Sequence, residues 1–364
     1  MSAANRKSVL DAQGSAVGTG DAMIPLDFSA LERGEDLSEG RAGELMAFLV
    51  SGQATDEEIG SILQALRAKG ETVEEITGMV KMARLKAVPL EAGGGLLDTC
   101  GTGGDGLATF NISTLSALVA AACGARVVKH GGRAASGQCG SADLLEALGV
   151  VIALGPEGVR MCLDEVGIAF CFAPNFHPSF KHVGPTRRRL GGRTVFNFLG
   201  PLLNPAHASY QALGVSDPKI GTLMAAVLGK VGVKRALVYC SREGMDEISL
   251  SARTHVIELR DGRQWEYELE PSQVGLCGAP LDAIRGGDAS VNAEIARRVL
   301  SGEGGPRRDV VVLNTAGALR AAGMAKDWRT GLNMAREALD RGLASDLLTR
   351  WVRVSQAAAS AVGA

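Results

Sequence analysis

Four groups of residues in this chain have the types and spacing to do chemistry. The first is Gly101-Thr102-Gly103-Gly104-Asp105-Gly106, a glycine loop between a short apolar run and an alanine-rich stretch. It matches G-x-G-x-x-G, but a dinucleotide site also needs an acidic residue about 20 positions on to hold the ribose hydroxyls. The next apolar run ends instead in Lys129-His130-Gly131-Gly132-Arg133, which is cationic where that fold wants an anion. No Lys-Ser or Lys-Thr pair follows the loop, so the Walker pattern fails too. What remains is anion binding. Small residues let backbone N–H groups approach a phosphate, and the helix that follows favours negative charge at its N-terminus. Asn111, Ser113 and Thr114 offer side-chain donors at that terminus, while Lys129 and Arg133 offer charge from the neighbouring strand end.

The other two groups lie further along. A basic stretch holds His177, Lys181, His182, Arg187, Arg188, Arg189 and Arg193, interleaved with Phe180, Val183 and Leu190. An arginine turned inward from such a stretch suits a carboxylate, which its planar fork can grip at two oxygens. Asp246-Glu247 is an adjacent acidic pair just beyond a strand-like run. Near a phosphate site such a pair fits Mg²⁺, which takes oxygen ligands and bridges to phosphates. His130 is a candidate acid–base group. No Ser/His/Asp order or His/Cys metal spacing supports covalent or zinc chemistry.

These groups need elements to hold them. From Asp27 to about Pro89 the pattern is helical. Thr55 with Glu58 and Thr72 with Glu75 form capping boxes, Gly52 and Gly70 stand at helix stops, and Ile59, Ile62, Leu63 and Leu66 share one apolar face. After Gly93-Gly94-Gly95 short apolar runs alternate with helical stretches, which predicts a mainly parallel sheet covered by helices. Strands are expected over Leu96–Cys100, Ala125–Lys129, Gly167–Ala173, Arg235–Cys240 and Asp309–Asn314, and helices over Ser113–Cys123 and Ser141–Leu148. His255–Glu270 is expected to be a hairpin turning at Asp261-Gly262. The predicted organisation is a flexible extension over 1–24, a small helical domain over 25–92 joined in space by helices from about 178–205, a large α/β domain over 93–177 and 206–355, and a loose tail over 356–364.

Composition narrows the function classes. Glycine takes 48 of 364 positions without a G-X-Y period, which excludes a collagen-like chain. Thirty-eight basic and 40 acidic side chains give a formal charge of −2, so no global field draws nucleic acid or an anionic membrane. Seven dispersed cysteines without a C-x-x-C pair predict free thiols in a reducing compartment. No apolar run of 18 residues predicts a membrane span, and Met1 to Asp21 lacks a signal peptide's apolar core. A cytoplasmic enzyme is expected.

In GTGGD (101–105), Thr109 with NIST (111–114), KHG (129–131) with Arg133, GSADLLEALG (140–149), His177-Pro178 with Arg187, the run from Arg193 to GPLLNP (200–205) and DEIS (246–249), the chain resembles the anthranilate phosphoribosyltransferase family. The motifs keep order and spacing from about residue 27 to 355. The resemblance implies a small helical domain with a large α/β domain of the nucleoside phosphorylase/phosphoribosyltransferase kind, paired as a homodimer. It implies Mg²⁺-assisted transfer of the phosphoribosyl group of phosphoribosyl pyrophosphate (PRPP) to the amine of anthranilate in tryptophan biosynthesis, with pyrophosphate leaving and no dedicated catalytic side chain. By the same resemblance Gly101, Gly104, Asp105, Thr109, Asn111, Ile112, Ser113, Thr114, the loop Lys129, His130, Gly131, Gly132, Arg133, Ala134, Ala135, Ser136 and Gly137, and Ser141 hold PRPP. Gly101, His130, Gly132 and Arg187 face anthranilate, and Ser113, Asp246 and Glu247 hold the metal. Three positions depart from the family pattern: Gly132 stands where asparagine is usual, and Gln138 and Cys139 where lysine and serine are. Three alternatives stay open: transfer to a different aromatic amine, a non-catalytic relative that binds nucleic acid or a regulatory partner, and a nucleoside phosphorylase of related fold.

Overall fold

The computed structural model describes residues 29–134 and 137–362. The expected extension over 1–24, together with Ala135 and Ser136, lies outside the described residues. Four helices come first: α1 (Ser29–Glu32), α2 (Glu39–Leu49), α3 (Asp56–Lys69) and α4 (Val73–Leu85). Both capping boxes form. Thr55 Oγ1 accepts from Glu58 N–H and Glu58 Oε2 from Thr55 N–H; Thr72 and Glu75 do the same. Glu75 is fully buried and does more than cap: its carboxylate also accepts from Leu37 N–H at 2.8 Å and from Lys69 Nζ at 2.9 Å. A buried charge paired and hydrogen-bonded in this way is tolerated where a lone one is not.

After residue 93 strands and helices alternate: β1 (Leu96–Gly101), α5 (Ile112–Ala122), β2 (Arg126–Gly131), α6 (Ser141–Ala147), α7 (Pro156–Val166), β3 (Ile168–Phe172), α8 (Ala173–Phe176), α9 (Gly184–Leu190), α10 (Phe196–Leu202), β4 (Tyr210–Gly214), α11 (Pro218–Lys230) and β5 (Arg235–Ser241). The antiparallel pair β6 (Thr254–Arg260) and β7 (Arg263–Leu269) follows, turning at Asp261 and Gly262, both with positive φ as a two-residue hairpin turn requires. Four helices close the chain: α12 (Ala289–Leu300), α13 (Pro306–Ala321), α14 (Trp328–Asp340) and α15 (Leu343–Val362). The seven strands lie in the order β3-β2-β1-β4-β5-β6-β7, the first five parallel. The α/β class with a small helical unit and a mainly parallel sheet is therefore as the sequence predicts.

Both faces of the sheet are covered, and strand alternation assigns the sides. Leu237 and Tyr239 of β5 join a cluster with α5 and α13, while Ala236, Val238 and Cys240 join another with α10, α11 and the first helices. Among the described residues all seven cysteines are free and no helix is long and apolar enough to cross a membrane.

Two expectations are corrected and one strand is added. Asp309–Asn314 is not a strand but part of α13, which starts at Pro306 after Gly305 and is buried from Val310 to Leu319. A short valine-rich run buried on all sides lacks the periodicity that separates helix from strand. The tail is not loose through 356–362, because α15 continues to Val362 with Ala358 buried; its alanines favour helix. The five-residue β4 carries no clear sequence signal of its own, yet it pairs with β1 along its full length.

Candidate active site

The chain runs from β1 outward to β2 and β3, then returns to place β4 on the other side of β1. Ligands in open α/β sheets sit at such a reversal, outside the carboxyl ends of the strands. Here those ends are Gly101 and Gly214, paired in register, and Thr102 N–H donates to Gly214 O at 3.0 Å. The acidic pair lies directly over them. A Cβ on Gly214 would stand 1.6 Å from Asp246 O, and one on Gly101 2.2 Å from Asp246 Oδ2. Glycine at both strand ends is what lets the acidic segment seat there.

Each carboxylate then occupies one N–H site. Asp246 Oδ2 accepts from Gly103 N–H in the glycine loop at 2.7 Å, and Glu247 Oε1 from Ser113 N–H in the first turn of α5 at 2.9 Å. The glycine loop, the 111–114 turn and the acidic pair are thus brought together across more than 130 residues of sequence. Burial, with repulsion from Asp105 next, pushes the Asp246 carboxyl up to about 6; burial and Asp246 push Glu247 well above the usual range. Asp105 Oδ2 and Glu247 Oε2 are buried without a hydrogen-bond partner. Crowded, under-satisfied carboxylates are what a divalent cation would relieve. Among the described residues no three His, Cys, Asp or Glu side chains form a ready metal cage.

Side chains outside the motifs hold the acidic segment by its backbone. Asn314 on α13 accepts from Ile248 N–H at 2.8 Å and donates to Ile248 O at 2.9 Å, gripping the residue next to Glu247 by both backbone groups. Ser241 Oγ accepts from Met245 N–H at 3.0 Å on the other side.

The neighbouring strand end supplies the cation. Lys129 is buried, with its ammonium on Thr99 O and 3.3 Å from Ser113 Oγ. Thr114 Oγ1 donates to Ser141 Oγ at 3.2 Å, tying the start of α5 to the start of α6. Arg133 differs from expectation: its guanidinium pairs with Asp143 and Glu146 on α6, so its charge is already answered. Asn111 also offers less than expected, since its Nδ2 donates to Cys139 O at 2.9 Å. Ala134 N–H donates to Asp143 Oδ2, and Thr109 makes an isolated antiparallel bridge with Arg285.

His130 is not poised for proton transfer. It is buried, and burial with the adjacent His177 pulls its pKa down to about 3, so it is neutral across physiological pH. It starts a run of rings instead. His130 meets His177 at 5.2 Å, His177 meets Phe180 at 5.2 Å, Phe180 meets Phe196 at 5.5 Å, and the Arg187 guanidinium lies 5.0 Å over Phe196. Within the basic stretch Arg189 pairs with Asp56 and Arg193 approaches Asp217. Arg187 is half-buried, has no carboxylate partner among the described residues, and is held below its usual pKa by burial. A half-buried fork so placed could accept a carboxylate, and the ring contacts connect it to the end of β2. At that end Gly132 has open space: a Cβ there would meet no described heavy atom within 4 Å.

Two family models match the chain: the helical bundle domain of a glycosyl transferase family over residues 29–87, and its a/b domain over residues 93–345. An anthranilate phosphoribosyltransferase of Streptomyces coelicolor is 51% identical over 320 residues, 88% of this chain and 96% of that protein. Among solved structures, anthranilate phosphoribosyltransferase from Thermus thermophilus superposes with a TM-score of 0.86 at 44% identity, covering 90% of this chain and 98% of that one. The enzyme from Saccharomyces cerevisiae, solved in complex with PRPP and Mg, gives a TM-score of 0.82 at 27% identity, covering 91% of this chain and 99% of the other. The same yeast enzyme has also been solved in complex with 4-fluoroanthranilate.

Proposed function

The chain belongs to the anthranilate phosphoribosyltransferase family, and from that premise we propose that it transfers the phosphoribosyl group of PRPP to the amine of anthranilate, with Mg²⁺ bound. The observation that carries this is the seating of Asp246 and Glu247 between the glycine loop and the start of α5. Asp246, Glu247 and Ser113 would hold Mg²⁺, which supplies positive charge for the pyrophosphate as it leaves. The chain's own groups do the rest. Gly103 N–H and Ser113 N–H, which the two carboxylates now occupy, would serve phosphate oxygens when those carboxylates hold the cation, with Lys129 beside them.

The acceptor needs no base of its own, because an aromatic amine is nucleophilic while neutral. Its nitrogen lone pair forms the new bond to C1 of the ribose. The C1–O bond breaks, its electron pair leaves on pyrophosphate, and the nitrogen then sheds a proton to water. Arg187 orients the acceptor by its carboxylate, and neutral His130 lines the path without exchanging protons. Positioning and preorganised charge supply the rate.

Purified protein mixed with Mg²⁺, PRPP and anthranilate should consume anthranilate fluorescence. No turnover despite measurable PRPP binding would remove the acceptor assignment. One observation favours a second acceptor, the open space at Gly132; a panel of substituted aminobenzoates decides, and best activity with anthranilate removes that option. Salt-sensitive DNA binding without any transfer would instead favour the non-catalytic alternative. A homodimer through the helical unit belongs to the same proposal. It is supported by Leu85, 76% exposed at the end of α4, and is checked by light scattering.

A further inference from the structure

Asn292, in the first turns of α12, is 2% exposed and belongs to none of the motifs above. Its side-chain amide is used at both ends. Oδ1 accepts from Gly287 N–H at 2.8 Å, and Nδ2 donates to Asn111 Oδ1 at 3.0 Å. Asn111 stands at the N-cap position of α5 but makes no side-chain cap bond. Its amide is turned across the cleft, where Nδ2 donates to Cys139 O at 2.9 Å and Oδ1 also receives Cys139 Sγ–H at 3.3 Å. A relay therefore runs from Gly287 through Asn292 and Asn111 to Cys139, joining the two loops that carry the anion-binding residues.

The surrounding backbone is built for this contact. Residues 284–286 lie antiparallel to residues 108–110, with Gly286 N–H on Ala108 O at 2.9 Å and Phe110 N–H on Ile284 O at 3.3 Å. A Cβ on Gly286 would stand 2.6 Å from Asn292 Oδ1 and 2.7 Å from Phe110 N, so the approach needs glycine. Asn292 sits where the 284–288 segment, the approach to α5 and the 137–140 loop meet.

We infer that Asn292 is a positioning residue for PRPP: through Asn111 it holds the 111–114 turn and the 139–141 segment in the spacing that the phosphates require. This rests on the phosphoribosyl function proposed above. The amide's asymmetry makes the inference testable. Asn292→Asp keeps an acceptor for Gly287 N–H but sets oxygen against Asn111 Oδ1. Turning the Asn111 amide over would relieve that contact only by setting its oxygen against Cys139 O. The conflict has no local escape. Asn292→Leu removes the relay without adding charge, which separates a lost brace from repulsion of the phosphates.

The experiment is calorimetric titration of PRPP, with Mg²⁺, into the full-length protein and both variants, alongside steady-state kinetics. The expected result is a Kd and KM for PRPP raised at least tenfold in both variants, with kcat within threefold and the anthranilate KM within twofold at saturating PRPP. A PRPP Kd within twofold of wild type overturns the inference. So does a loss of active fraction that lowers kcat while leaving the PRPP KM unchanged, the pattern of a purely structural residue. Where Asn292→Leu does not fold, Asn292→Ser, which keeps a hydroxyl for Gly287 N–H, is judged by the same ratios. Failure of the wild-type protein to bind PRPP would instead count against the phosphoribosyl function itself.

Discussion

Replacing Gly132 by asparagine should improve this enzyme toward anthranilate. Gly132 follows the last residue of β2, and a Cβ there meets no described heavy atom within 4 Å. Its φ lies outside the left-handed region that would strain a side chain. The substitution therefore meets neither clash nor backbone penalty. Losing a glycine at such a compatible position narrows the unfolded ensemble and stabilises by ~0.4–1 kcal/mol. An amide that reaches the acceptor adds one neutral hydrogen bond, worth about 1 kcal/mol net. At 1.4 kcal/mol per decade, that lowers the anthranilate KM about fivefold. The PRPP KM should hold, because the backbone contact of Gly132 O with Ala142 N–H at 3.1 Å is unaffected. Initial rates from anthranilate fluorescence at saturating PRPP and Mg²⁺ give both constants, and a melting curve gives the stability change. An unchanged or higher anthranilate KM in a variant that melts no lower than wild type would refute the missing contact.

Three further outcomes are expected. Asp246→Ala with Glu247→Ala should lower turnover about 10³-fold or more, as loss of several kcal/mol of charge stabilisation implies. Circular dichroism of that variant should match wild type, since the pair is repulsive without metal; residual activity near wild type would mean the metal site lies elsewhere. Arg187→Gln should raise the anthranilate KM on the order of 10- to 100-fold through loss of a charge-assisted pair, with the PRPP KM nearly constant; steady-state kinetics in both substrates reads this. His130 has a folded pKa of about 3, depressed from 6.5, so its stabilising neutral form is fully favoured above about 6.5 and the stability is lost as pH falls toward 3. Between pH 7.5 and 5 this should cost about 2 kcal/mol more in wild type than in His130→Gln, measured by urea unfolding at both pH values. Equal losses would place the histidine in a more solvated site than the structure gives it.

Local signals were the ones legible in the sequence. Thr55 with Glu58 and Thr72 with Glu75 carry their partners three residues away, so the caps form where the pattern predicts. Asp261-Gly262 needs only its own backbone freedom to turn a hairpin. The glycine loop and the Lys129–Arg133 run stand out for the same reason, since donors and small residues are contiguous in each. What the residues could not announce depends on distant partners. Asn314 and Asn292 are single asparagines in helices, and their roles exist only because Ile248 and Asn111 arrive from other elements. Arg133 shows only its charge in the sequence, and its partners Asp143 and Glu146 come with α6. Residues 309–314 failed as a strand because full burial erases the period that tells helix from strand. That Arg189 and Arg193 are paired while Arg187 lies over Phe196 likewise depends on Asp56, Asp217 and Phe196 arriving from other elements.

The most direct test of the central claim is the stoichiometry of the reaction. Protein, Mg²⁺, PRPP and anthranilate are mixed, and released pyrophosphate and consumed anthranilate are measured in the same sample, with and without EDTA. The account predicts one pyrophosphate per anthranilate, no release when either substrate is omitted, and loss of both signals in EDTA. Pyrophosphate release that ignores anthranilate, or anthranilate consumption that survives EDTA, would contradict it.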